Sequence, residues 1–246
     1  MSSAPSRRGW LTPILIGVIA AVLLATSIML ASKGSGGDPG AEPSGETPAQ
    51  QPAGEVVAPE APQTLDMARL EPDDPLAVGP LDAPVTLVVY SDYQCPYCAQ
   101  WATATGPAML DYAEAGRLRI EYRDITLFGD ESERAAIAAY AAGLQGNYTD
   151  FHEALFAGGD TRSPNELSED ALIALAGDLG LDTDEFAVDL TSEAAAQAVL
   201  RNNEEAMAIG AFSTPSFLLD GQPIVGAHPT DAFVTAMEQA LARHGS

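Results

Sequence analysis

The chain has 246 residues, 46% of them hydrophobic, with 11 basic against 35 acidic side chains and a formal charge of −24. A chain this acidic carries no electrostatic footprint for nucleic acid, and its two cysteines can build neither a disulfide-rich scaffold nor a four-thiolate zinc site. The apolar fraction is too high for a wholly disordered chain, and the length allows one or two domains with a sizeable core. Arg7, Arg8 and Lys33 precede position 34 without any acid, so all 35 acidic residues lie beyond it. That acidity reads as a solubilising surface.

From Leu11 to Ala31 no residue is charged, a run long enough to cross a bilayer as a helix. Pro13 falls in its first turn, where a missing N–H costs little, and Trp10 holds the interface position. A cleavable signal peptide is the competing reading. Its apolar core is shorter, about 7–15 residues, and the small triplet Ala25-Thr26-Ser27 lies inside the run instead of after it. The segment is therefore read as an uncleaved anchor. Arg7 and Arg8 before it, against Lys33 after it, put residues 1–10 in the cytoplasm as a tail and the rest of the chain outside. Residues 32–63 follow as a linker, with Pro39, Pro43, Pro48, Pro52, Pro59 and Pro62 among Gly, Ser, Ala, Glu and Gln. This composition reads as a disordered tether reaching roughly 30 Å as a coil.

Residues 64–246 are read as the folded domain. Val85 to Tyr90 predicts a strand, and a helix is expected from about Pro96 to Ala115. Leu118 to Tyr122 alternates at period two, a second strand. Helices are expected over residues 131–145, 148–157, 168–178 and 192–210, with Ser168 as an N-cap. Ser216 to Gly226 reads as a hairpin turning at Asp220-Gly221, and a last helix runs from about Thr230 to Arg243. Strand, helix, strand, several helices, hairpin and helix predict one sheet covered by helices, an α/β fold. Met207, Ile209 and Phe212 are expected in the core before the hairpin.

The chemistry points to Cys95-Pro96-Tyr97-Cys98, placed after a strand and at the start of a helix. A helix amino terminus offers free N–H groups and partial positive charge, which stabilise a Cys95 thiolate. Pro96 at the first helical position wastes no hydrogen bond. Cys98, one turn on, can attack a mixed disulfide on Cys95. One exposed low-pKa sulfur and one resolving sulfur is the layout that thiol–disulfide exchange requires. A structural disulfide closing so short a loop would remove little chain entropy. A metal would need further ligands, and His152, His228 and His244 are all distant in sequence. No metal and no cofactor are expected. His152 reads as a helix-surface or partly buried histidine. Tyr97 and Trp101 read equally as groove lining or as core and rim. Asn147-Tyr148-Thr149 matches a glycosylation triplet, a frequent chance match.

The stretch Tyr90-Ser91-Asp92-Tyr93-Gln94-Cys95-Pro96-Tyr97-Cys98 resembles the active-site strand and helix start of the DsbA-like branch of the thioredoxin superfamily. Ser213-Thr214-Pro215-Ser216-Phe217 resembles its cis-proline loop, and Gln145 to Phe156 its helical insertion, here about residues 130–210. The resemblance spans roughly residues 75–243 and implies a thioredoxin fold with a helical insertion. It implies catalytic Cys95 and Cys98, an active-site loop of Pro96 and Tyr97, and substrate binding at Thr214 and cis-Pro215. Thioredoxins carry a buried acid six residues before the first active-site cysteine, and here that residue is Val89. Asp92 is the candidate proton-transfer group in its place, with a turn-forming Asp as the plainer reading.

The expected function is an extracytoplasmic thiol–disulfide oxidoreductase, tethered to the membrane, that oxidises exported proteins bearing cysteines. A membrane redox partner would reset it, and a monomer is expected. Two alternatives stand beside it: a membrane-fed reductase or isomerase, and a non-catalytic chaperone or binding module on a thioredoxin scaffold.

Overall fold

The computed structural model describes residues 64–245. The tail, the anchor and the linker expected before residue 64 lie outside the described residues. None of the described helices is long and apolar enough to cross a membrane.

Five strands form one mixed sheet in the order β1-β3-β2-β4-β5. They are β1 (Ala77–Val78), β2 (Val85–Ser91), β3 (Leu118–Asp124), β4 (Ser216–Leu219) and β5 (Gln222–Val225). Strands β2 and β3 are parallel, and the other pairings are antiparallel. A parallel pair needs a crossover. It is made by α1 (Pro96–Ala104) and α2 (Gly106–Glu114). Sequence reading expects one helix here. The structure breaks it at Thr105 because Pro107 has no N–H to continue the ladder.

The register of β2 against β3 sorts the side chains into two stripes. Val85, Leu87, Val89 and Ser91 lie opposite Leu118, Ile120, Tyr122 and Asp124. Strand side chains alternate, so these eight share one face. That face packs α1, α2 and α8 (Thr230–His244) into the main core, with Trp101, Met109, Phe217, Phe233 and Met237 buried together. Between β3 and β4 come α3 (Asp130–Leu144), α4 (Tyr148–Leu155), α5 (Glu169–Asp178), α6 (Thr183–Leu190) and α7 (Glu193–Ala208). Sequence reading passes over α6, whose N-cap Asp182 accepts from the N–H groups of Asp184 and Glu185. Alanines 135, 138, 139 and 142 make α3 thin enough to bury. A Cβ on Gly143 would lie 2.5 Å from the Pro75 carbonyl, so only glycine fits there.

The other stripe sets Thr86, Val88 and Tyr90 opposite Arg119, Glu121 and Arg123. Leu65 and Met67 cover part of this face, packing with Ile209 and Ala211 over Val88, Tyr90, Ile125 and Leu218. The segment is pinned by Leu65 N–H to the Gly221 carbonyl, 2.9 Å. Beneath it runs a buried ion network. Arg123 bonds Glu121 at 2.7 Å, Glu205 at 3.2 Å and Asp74 at 3.5 Å. Arg119 bonds Glu121 at 3.0 Å, and Arg69 bonds Glu205 at 2.8 Å. The N–H groups of Arg69 and Leu70 also donate to Glu121. Burial opposes Glu121's charge, but these donors outweigh it and hold its carboxyl below the usual range.

Two expected core residues are not in the core. Met207 is 59% and Phe212 71% exposed: Met207 sits on the outer face of α7, whose inner face carries Ala195, Val199, Asn202 and Ala206, Phe212 lies in the loop beyond the helix, and only Ile209 of the three packs inward.

Breaking a buried ion network leaves its remaining charges short of partners, at about 3–5 kcal/mol. Arg123→Met is expected to lose stability of that order in urea unfolding of the full chain. A loss below about 1 kcal/mol would show that the network does not hold the 64–76 segment to the sheet.

Candidate active site

The C-terminal ends of β2 and β3 meet at the start of α1, as their parallel pairing requires. Cys95 is the N-cap of α1, in extended conformation, with Pro96 in the first turn. Its carbonyl accepts from Cys98 N–H at 3.0 Å and Ala99 N–H at 3.2 Å, and its own N–H reaches the Asp92 carbonyl at 3.0 Å. No acid stands in the first turn of α1 to oppose a thiolate there. Both thiols are unpaired.

The two sulfurs differ in what surrounds them. The Cys98 thiol donates to Cys95, and this holds Cys95 down to about 6 against the contrary push of burial. The N–H groups of Cys98 and Tyr97 and the neighbouring Thr214 contribute to the same stabilisation. Burial pushes Cys98 up strongly, and its bond to Cys95 pushes the same way. The Ser91 hydroxyl and the Asp92 N–H, 3.5 Å from the Cys98 sulfur, oppose that rise. A single proton is thus kept on Cys98 while Cys95 is free to ionise.

The expectation of an exposed nucleophile needs correcting: Cys95 is only 2% exposed. The Pro215 loop covers it. The Thr214–Pro215 peptide bond is cis, and the Thr214 carbonyl accepts from the Cys95 sulfur at 3.3 Å. Gly226 N–H donates to the Pro215 carbonyl at 2.8 Å, tying that loop to the end of β5. Tyr97, in contrast, is 64% exposed. Phe128 and Phe212, on the loops after β3 and before Thr214, are exposed as well. Trp101 is core, packed on Phe217 and Phe233 with ring centroids 4.8 and 5.8 Å away.

Asp92 is fully buried, and its carboxylate is taken up by four donors. Gln94 N–H (2.8 Å) and Ser132 Oγ (2.6 Å) donate to one oxygen, Leu127 N–H (2.6 Å) and Phe128 N–H (3.3 Å) to the other. Burial raises its pKa and these donors counter the rise. The side chain clamps the loop after β3 to the active-site loop, and only its backbone N–H touches Cys98.

A buried acid that sequence reading passes over lies nearby. Asp124 ends β3, two residues beyond the Tyr122 at which the sequence pattern ends the strand. Tyr93 donates to it at 3.1 Å and Tyr148 at 3.2 Å. Burial raises its carboxyl to about 7, and the two phenols only moderate the shift. His152 is more enclosed than expected, ringed by Tyr93, Tyr122, Tyr148 and Phe156, and burial lowers it to about 4, which keeps it neutral. His228 is spent on the Val225 carbonyl and His244 on Asp220. The Asn147 side-chain nitrogen donates to the Leu179 carbonyl and is engaged within the fold.

An unequal thiol pair at a helix start, under a cis-proline loop and on a mixed sheet, defines a class, and residues 71–239 match the thioredoxin family. The chain belongs to that family. It is 28% identical to a thioredoxin-like oxidoreductase of Silicibacter pomeroyi, with a TM-score of 0.60 over 70% of this chain and 94% of that one. It is 23% identical over 150 residues to a probable disulfide bond formation protein D of Bacillus cereus, covering 59% of this chain and 69% of that protein. It is also 31% identical over 176 residues to the Na(+)/H(+) antiporter NhaA 3 of Salinispora tropica, 72% of this chain. The chain spans about a quarter (26%) of the length of that antiporter.

Thiolate absorbance of the fully reduced chain is expected to rise in one step with a midpoint about 6, assigned to Cys95 by its loss in Cys95→Ser. Cys98 should stay silent through the ordinary cysteine range of about 8–9. The depressed Cys95 pKa stabilises the reduced fold above that ordinary range, and the gain is lost as pH falls through about 6. Two steps in the ordinary range would refute the asymmetry.

Proposed function

We propose that this chain is a thiol–disulfide oxidoreductase that introduces disulfides into exported proteins through Cys95 and Cys98. The observation that carries this reading is the opposite displacement of the two thiols, Cys95 toward thiolate and Cys98 toward thiol. A thiolate stabilised at a helix start favours the reduced enzyme, which makes the enzyme's disulfide a strong oxidant.

The cycle begins with the Cys95–Cys98 disulfide. A client thiolate attacks the Cys95 sulfur, the S–S bond breaks, and its electron pair leaves on Cys98, which takes up a proton. A second client thiolate attacks the client sulfur of the mixed disulfide. Cys95 leaves as the thiolate, the client has lost two electrons and the enzyme has gained them. A membrane redox partner that accepts those two electrons restores the disulfide. Thr214 and Pro215 form the wall against which the client backbone docks, displacing the Thr214 carbonyl from the Cys95 sulfur. Pro96 and Tyr97 present the loop, with Tyr97 exposed to the client.

The reading includes the expected layout: a cytoplasmic tail at residues 1–10, an anchor at 11–31, a linker at 32–63 and a monomeric domain at 64–246. The domain then faces the outside of the cell membrane. Disulfides persist outside the cytoplasm, which supports the oxidising direction. The disulfide bond formation protein of Bacillus cereus lends support by similarity.

The reduction potential of the pair in the full chain, set against defined thiol buffers, is expected between about −120 and −180 mV. A value near −270 mV, roughly that of thioredoxin, would reverse the direction and make the chain a reductase. Cys95→Ser is expected to abolish exchange and Cys98→Ala to accumulate mixed disulfides on Cys95. Client binding that survives in Cys95→Ser, with no exchange in the unaltered chain, would instead support a binding module.

A further inference from the structure

Four exposed aromatic and apolar side chains stand around Cys95: Tyr97, Phe128, Met207 and Phe212. Tyr97 is on one side, in the first turn of α1. The other side can be followed contact by contact. Phe128 N–H donates to Asp92, whose own N–H lies 3.5 Å from the Cys98 sulfur. Two residues before Phe128, Thr126 meets Asn203 of α7 through two hydrogen bonds of 2.9 Å. Met207 is one turn further along that face of α7, and its carbonyl accepts from Gly210 N–H at 3.2 Å. The Phe212 ring lies over Gly210, 3.8 Å from where a Cβ would stand. Thr214, two residues on, closes the row at the Cys95 sulfur. Large apolar side chains left exposed in such a row mark a docking face.

The charge along this face has one sign. Asp130 follows Phe128 by two residues at the start of α3, and Glu133 lies one turn on. Glu204 adjoins Asn203, one turn before Met207. All three are exposed, and none is ion-paired among the described residues. The cations that would offset them are engaged elsewhere. The described residues hold eight arginines and no lysine, and each arginine already pairs with a carboxylate. Arg134 of α3 holds Glu131 at 3.1 Å, and Arg201 of α7 holds Glu71 at 3.6 Å. Solubility is served by acids anywhere on the surface. Acids beside Cys95 have a cost, because the group that attacks a disulfide is a thiolate, itself an anion. A lysine or arginine beside the client cysteine removes that cost. It is attracted to the rim, and it holds the client sulfur as thiolate.

From this juxtaposition we propose that the face selects clients whose cysteine lies in a cationic segment that also carries an apolar residue. A client lysine or arginine meets Asp130, Glu133 or Glu204, and the apolar residue packs on Phe128, Met207 and Phe212. The inference rests on the reading of Cys95 and Cys98 as an exchanging pair and adds its substrate class. The bond changes are those of the exchange: the client thiolate attacks Cys95 Sγ, the Cys95–Cys98 bond breaks, and its electron pair leaves on Cys98. Selection falls on the encounter that precedes this step, so it acts on the association rate and weakens as salt screens the rim.

The test mixes the oxidised full chain with three single-cysteine peptides, alike except that lysines, glutamines or glutamates flank a Cys-Leu pair. Mixed-disulfide formation is followed in acid-quenched samples by mass spectrometry. Each rate is divided by the same peptide's rate with hydroxyethyl disulfide, a small neutral disulfide, which removes the effect of the flanking residues on the thiol itself. At about 0.01 M salt, where screening reaches about 30 Å, the lysine peptide is expected to outpace the glutamate peptide by about 10²-fold, with glutamine between. At about 1 M salt the three should converge. Asp130→Asn, Glu133→Gln and Glu204→Gln together should cut the low-salt ratio about tenfold. Asp178→Asn, Asp184→Asn and Glu185→Gln make the same charge change about 20 Å away, at the far end of α3 where Gln145 bonds Asp182 and Asn147 bonds Leu179, and should leave the ratio in place. Equal normalised rates for the three peptides, a ratio unmoved by the rim variant, or an equal loss in the remote variant would overturn the proposal while leaving the exchange reading intact. Mixed disulfides with none of the peptides would instead overturn the exchange reading itself. Should the rim variant not fold, the unaltered chain decides. Its rate with the lysine peptide is expected to fall with salt and its rate with the glutamate peptide to rise, and parallel slopes would refute the selection.

Discussion

The parallel pairing of β2 with β3 is the constraint from which the rest of this structure follows. Parallel strands end at the same edge, so the chain leaves β2 into the active-site helix beside the point where β3 delivers Asp124. The same register assigns every side chain of both strands to a face. A slip of one residue would carry Glu121 and Arg123 into the main core and Asp124 out of it. The buried ion network therefore works as a register lock as well as a contribution to stability. It is satisfied in only one alignment.

The crossover that the parallel pair demands also places the start of a helix over the sheet edge. Pro96 and the free N–H groups of that first turn make the position suited to negative charge, and Cys95 occupies it. Burial alone would raise both thiols. What separates them is direction: Cys95 receives hydrogen bonds, whereas Cys98, in a deeper site, keeps its proton and donates it as a hydrogen bond to Cys95. The Thr214 carbonyl then serves two purposes. It accepts the Cys95 thiol while the site is empty, and it keeps the nucleophile covered. A chain with an 11-to-35 basic-to-acidic ratio has little cation to spare, and the thiolate is stabilised by dipoles alone.

Local signals made the active-site half legible. The apolar run of β2, the dipeptide Asp220-Gly221 with positive φ at both residues, and two cysteines at a helix start are all short-range patterns. The features missed depend on contacts distant in sequence. Cys95 is covered by a loop 119 residues away, and this no local pattern encodes. Asp92 looked like a turn residue or a proton carrier, and its clamp on Leu127, Phe128 and Ser132 spans up to 40 residues. Met207 and Phe212 are apolar in composition yet exposed: Met207 falls on the face of α7 turned from the core, and Phe212 lies in the loop beyond, where helical periodicity says nothing. Asp124 was within reach: two more residues of β3, read against Ser91, place it on the core face.

Glu121 and Asp124 show how one strand sets two acids to different ends. They stand three residues apart and so face opposite sides of the sheet. Glu121 meets two guanidinium groups and two backbone N–H groups, and its charge is held below the usual range. Asp124 meets two phenols and stays near neutrality in its titration. A carboxyl whose pKa rises on folding destabilises the fold as pH climbs through its midpoint, whereas one whose pKa falls stabilises it above the ordinary carboxylate range. The two acids of β3 therefore pull the pH dependence of stability in opposite directions, Glu121 losing its contribution as pH falls and Asp124 as pH rises.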